Sequence, residues 1–170
     1  MRTSLAALAV LLAPAMLHAQ AGGQDRTKLL LDGMRGATPM QCELALQGMN
    51  GWWSNGPEPG RDAVAWNVIS YAAHREIESG SVGLLSLSLQ DPDPCIKRIA
   101  ARLLGRSQLP AARSRLLEAV RDPDAGMRRL GATGLGYMND KTVTRELVRL
   151  LDDKDAGVRA AAAWAIGAIN

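Results

Sequence analysis

The chain has no phenylalanine; its only aromatics are four tryptophans and two tyrosines among 170 residues. A core of that composition is built from Leu, Ala, Ile, Val and Met, which suits close helix packing rather than strands. Histidine is as scarce, with only His18 and His74. A metal centre or a histidine-based catalytic triad therefore has almost nothing to work with. Two cysteines, Cys42 and Cys95, are too few for a dense disulfide framework or a four-cysteine zinc site. There is no glycine-rich phosphate loop, and after residue 21 no apolar run is long enough to span a bilayer.

What is present begins with a leader. Met1-Arg2 is a short basic start, and Leu5 to Leu17 is dominated by Ala, Leu and Val. Leu17-His18-Ala19 or Ala19-Gln20-Ala21 offers a small-residue cleavage site, and Gly22-Gly23-Gln24-Asp25 follows. Residues 1–21 read as a secretory signal peptide, with no cysteine close behind for lipid attachment. The mature chain is expected to be soluble, in a periplasm or outside the cell, with no membrane span. Without Arg2 it keeps 19 of the 20 basic residues against 17 acidic ones. That balance argues against nucleic acid as a partner.

Residues 91–170 repeat one unit at a constant step. Asp93-Pro94-Cys95-Ile96-Lys97-Arg98 returns as Asp124-Ala125-Gly126-Met127-Arg128-Arg129 and as Asp155-Ala156-Gly157-Val158-Arg159-Ala160. Gly105, Gly136 and Gly167 keep the same step. A fixed period of this length marks a solenoid. Each unit reads as two helices. The second carries an apolar stripe at i, i+3, i+4, i+7 and i+8: Ile96, Ile99, Ala100, Leu103 and Leu104 in the first copy. The equivalents are Met127, Leu130, Gly131, Gly134 and Leu135, then Val158, Ala161, Ala162, Ala165 and Ile166. The first helix has Leu85 and Leu89, then Leu116, Leu117 and Val120, then Leu147, Val148 and Leu151. Asp93, Asp124 and Asp155 stand at N-cap positions, with Pro94 at a first helical position. The repeating glycines are expected to stop the helices in left-handed conformation.

This pattern, Asp-Pro-Asp followed by an aliphatic residue, a basic residue, alanines and a Leu-Gly or Ile-Gly close, resembles the HEAT repeat. It is most similar to the short type named after phycobilin lyases. Residues 91–105 and 122–136 share seven identities, as do 122–136 and 153–167. The resemblance implies an all-α, right-handed α-solenoid of helix pairs used for protein–protein contact. Its three units are 81–108, 110–139 and 141–170. The lyase activity is not a property of the repeat and does not carry over. Nor do the paired His-Glu motifs of HEAT-like hydroxylases, since His74-Arg75-Glu76 has no second copy. No cofactor is expected.

Residues 22–80 read as a degenerate helical N-terminal cap. Asp25 to Met34 and Pro39 to Asn50 are expected helices, with Thr38 an N-cap. Gly51 to Gly60 is a loop, and Asp62 to Glu78 a third helix with Val64, Val68, Ile69 and Ala72 on one face. Which two of the three pair is left open.

Five sets of residues are candidates for a role. Asp91, Asp122 and Asp153 each precede Lys97, Arg128 and Arg159 by six positions; the HEAT resemblance makes them a ladder between units. The second helices hold Arg98, Arg102, Arg106 and Arg129 and no Asp or Glu. The resemblance places these helices on the concave face, where they would attract an acidic peptide or a polyanion, unless they are simply a solvated face. Cys42 and Cys95 form either a disulfide or two buried free thiols, with a redox role the remaining reading. Trp52 and Trp53 either make a binding platform or seal the end of the core. Trp164 and Ile169 lie about 140° apart around the last helix. One of the two is expected at the terminal surface, docking a partner or a second copy through the C-terminal helix.

The function expected is a non-enzymatic exported scaffold that binds another protein through its concave face or its Trp loop. The alternatives are an enzyme or lyase-like subunit on the same fold, or a structural module of a larger exported sensor or peptidase system. Processing is directly testable: N-terminal sequencing of exported material should begin near Gln20 or Gly22. Recovery of intact Met1 from a purely cytoplasmic pool would refute export.

Overall fold

The computed structural model of the chain describes residues 26–49, 77 and 79–169. Eight helices and no strands occur among these residues. Helix α1 covers 26–34, and α2 is Pro39–Gly48. Three helix pairs follow: α3 (Ser81–Ser88) with α4 (Pro94–Ser107), α5 (Pro110–Ala119) with α6 (Ala125–Met138), and α7 (Thr144–Arg149) with α8 (Ala156–Ile169). Short 3₁₀ turns, Lys141–Val143 and Leu150–Asp152, bracket α7. The pairs stack into an all-α solenoid. The expected signal segment, the expected 51–60 loop with Trp52 and Trp53, and the expected third helix apart from Ile77 fall outside the described residues, as do His74 and Glu76.

The second helices begin where paired aspartates close a turn. Asp91, Asp122 and Asp153 accept the backbone N–H two positions on, at 2.8–2.9 Å. Asp93, Asp124 and Asp155 then cap the helix, accepting from the N–H groups of Cys95, Met127 and Val158 at 2.8, 2.9 and 3.0 Å. Each Asp-x-Asp satisfies donors that the first turn leaves unpaired. Thr38 starts α2 with a full capping box, Thr38 Oγ1 accepting from Gln41 N–H while Gln41 Oε1 accepts from Thr38 N–H.

The helix ends differ from expectation. The left-handed residues are Gln108 and Asn139, both at φ 52, and not Gly105 and Gly136 three positions earlier. Those glycines lie inside their helices, at the closest approach between units. A Cβ on Gly105 would overlap the Gly134 carbonyl oxygen, and one on Gly136 would sit 2.6 Å from Trp164 Cζ3 and 2.9 Å from Ala165 Cα. Their missing side chain lets α4, α6 and α8 pack together along their lengths, while the first helices meet only lightly. A stack drawn tighter on one layer curves toward it, so the second helices line the inner face.

The core follows the stripes, with Leu85, Leu89, Ile96, Ile99, Leu103, Leu104, Leu116, Leu135, Leu147 and Val158 all buried. Val148 and Leu151 do not join it; they are 49% and 38% exposed on the last pair, which no further pair covers among the described residues.

The charged ladder between units is present at Arg128, whose carboxylate partner lies in the following unit and not in its own turn. Arg128 Nη1 donates to the carbonyl oxygens of Asp122 and Pro123 in its own turn. Its other edge reaches forward: Nε and Nη2 hold the Asp153 carboxylate at 2.7 and 2.9 Å. That fork is the main reason the Asp153 carboxyl is lowered to about 2. Arg159 repeats the turn contacts, on the carbonyls of Asp153 and Lys154. Among the described residues Lys97 makes no such ion pair with Asp122; an ammonium lacks the planar fork this geometry uses.

The repeating glycine position should respond to alanine with opposite signs. Gly105→Ala drives a Cβ into backbone and should lower the urea midpoint, by about 1–3 kcal/mol of stability. A Cβ on Gly167 would meet nothing within 4 Å, so Gly167→Ala should raise stability by up to about 1 kcal/mol through helix propensity. Equal shifts would disprove the close-approach account.

Candidate protein-binding face

The constant step of the repeat lays three rows across the inner face: Arg98, Arg129 and Ala160; Arg102, Thr133 and Trp164; Arg106, Tyr137 and Ala168. Helices α4, α6 and α8 contribute no carboxylate to it. Its basic end is less open than the sequence implies. Arg98 pairs with Glu43 of α2, Nη2 to Oε2, at 2.6 Å. That bond is the largest influence holding the Glu43 carboxyl below its usual range. Arg106 Nη1 donates to the Met49 carbonyl oxygen. Arg129 is exposed.

Arg102 corrects the expectation of a row of solvent-facing cations. It is only 3% exposed. Its guanidinium lies over the Tyr137 ring, 4.2 Å from the centroid. Nε and Nη2 are buried with no hydrogen-bond acceptor among the described residues. Desolvation is the chief cause pushing its pKa down, and the Arg106 charge adds to it. Tyr137 in turn meets Trp164, with centroids 4.9 Å apart and planes tilted by 57°. Cation, ring and ring thus form a continuous line from α4 through α6 to α8.

Trp164 is 44% exposed and Ile169 is buried. The indole leans back over Gly136 and Tyr137, onto the preceding unit. It therefore belongs to the inner face and not to an end patch. Rows of equivalent residues make Tyr137 findable from sequence, since it stands one period after Arg106. Glu43 and Met49 carry no such signal, because α2 lies outside the period.

The α1–α2 pair completes this face by docking against α3 and α4. Cys42 and Cys95 are joined in a disulfide, with Cα atoms 5.7 Å apart. Arg35 forks onto Asp91 at 3.0 and 2.9 Å, taking the place that Arg128 has on Asp153. The fork lowers the Asp91 carboxyl and raises Arg35. Gly36, at φ +73, donates its N–H to Asp93 Oδ2 at 2.8 Å. Thr27 Oγ1 donates to Ser81 Oγ at 2.9 Å. Residues 26–49 thus act as the unit before 81–107, although a long insertion separates Met49 from Ser81 in the chain.

Among the described residues no group of three potential metal ligands occurs, and no helix is long and apolar enough to cross a membrane. Comparison with protein families finds that residues 115–170 match the model for HEAT repeats. This stretch runs from within α5 through α8. HEAT repeats are helical scaffolds commonly used for protein interaction. No curated protein matches the sequence.

The cross-link closes a long loop over an insertion, so its loss should cost about 2–4 kcal/mol. Denaturation of the native protein, and of the Cys42→Ser/Cys95→Ser variant, should show that drop; the native protein in reductant should match the variant. An unchanged midpoint would mean that the side-chain contacts of α1 and α2 suffice alone.

Proposed function

We propose that this chain is an exported, non-enzymatic HEAT-repeat scaffold that binds another protein on its inner face. The observation that carries the reading is Trp164, exposed and braced on Tyr137, on a surface whose three helices hold no carboxylate. Tryptophan, tyrosine and arginine are the residues on which interface energy concentrates. Here they stand on packed helices, which fixes their geometry before a partner arrives. The near balance of charge favours a protein over a nucleic acid. Export is supported by the leader-like residues 1–21 and by the Cys42–Cys95 disulfide, a bond that persists in oxidising compartments.

Site-specific photo-cross-linking tests the face. A photoreactive residue at Thr133 on α6, placed against one at Ser114 on α5, compares the two layers in extract of the host's exported proteins. A discrete protein adduct is expected from position 133 alone, lost when Trp164→Ala is added. Adducts of equal yield from both positions, or none from position 133, would overturn the assignment.

A further inference from the structure

The edge of Arg102 that lacks an acceptor is the edge Arg128 uses to hold Asp153. In both residues it is made of Nε and Nη2. A guanidinium presents these two N–H groups in parallel, matched to the two oxygens of one carboxylate. Arg128 shows the match filled within the same protein. Around Arg102 the described residues supply cations and one anion: Arg98 and Arg106 stand one turn to either side, and Glu43 is engaged by Arg98. A buried guanidinium edge without an acceptor is costly to the fold, because the hydration it gave up on burial is not repaid. The Tyr137 face would accept an uncharged side chain as well.

We infer that Arg102 is the seat for a carboxylate of the bound partner, an Asp or Glu side chain in an acidic peptide segment, with an adjacent apolar side chain resting on Tyr137 and Trp164. This rests on the inner-face reading above and names the chemistry of the partner. Because the side chain lies beneath the surface, the guanidinium must swing off Tyr137 to meet the carboxylate. Its long stem permits this, and regaining an acceptor offsets the lost ring contact. The aromatic pair then remains as the platform for the apolar neighbour. A single buried guanidinium edge without an acceptor suits one carboxylate. A nucleic acid would need several free cations along its backbone, and here Arg98 and Arg106 are already engaged.

A random peptide library displayed on phage, selected against the intact protein, tests this without a known partner. Selected peptides should share one Asp or Glu beside an apolar residue. Arg102→Met should weaken them at least about tenfold. Changing the peptide acid to its amide should cost as much, and the two changes together should cost little more than either. The same Arg102→Met variant should keep or raise the denaturation midpoint, because it removes an unpaired buried charge. A lowered midpoint would make Arg102 a structural residue and overturn the inference. So would peptides that bind the variant as well as the parent; if those still need Trp164, the inner-face reading survives alone. Competition by inorganic phosphate or single-stranded DNA that depends on Arg102 would replace the carboxylate with another anion. Failure to select any peptide would count against both readings.

Discussion

Backbone contact between the second helices sets everything else. Gly105 and Gly136 bring α4, α6 and α8 to distances at which a single methyl group would overlap a carbonyl oxygen or a neighbouring Cα. Dispersion at such range involves many atoms at once and tolerates no change of volume. It also fixes curvature, since the first helices stay further apart. The inner face, and with it the line of Arg102, Tyr137 and Trp164, follows from that spacing.

Polar contacts then set the register that the close packing demands. Each Asp-x-Asp turn closes on its own backbone, and the free carboxylate oxygens are left for the unit before it. Arg128 on Asp153 and Arg35 on Asp91 are the same device reached by different routes, one within the period and one across an insertion. The disulfide adds a covalent tie where α2 meets α4. The N-terminal pair is therefore more than a cover for the first repeat. It brings Glu43 and the Met49 carbonyl to Arg98 and Arg106, and so neutralises one and ties down the other of the arginines that the helix sequence places on the inner face. What remains distinctive is Arg102, a buried guanidinium that α2 does not answer.

By itself the sequence determined the helix pairs, their period and their caps. These depend on interactions within a few positions: an aspartate reaching the next turn's N–H groups, or an apolar stripe recurring at helical spacing. It determined too that the second helices would carry arginine and no acid. Tertiary structure alone decided which of those arginines are engaged. The partners of Arg98 and Arg106 lie 55 and 57 positions away, in a helix pair that does not share the period. No spacing rule reaches them. The same holds for the glycines, whose regular recurrence looked like helix termination. Only the approach of a second backbone shows that they are contact points, because a close packing distance is a property of two helices and is written in neither one.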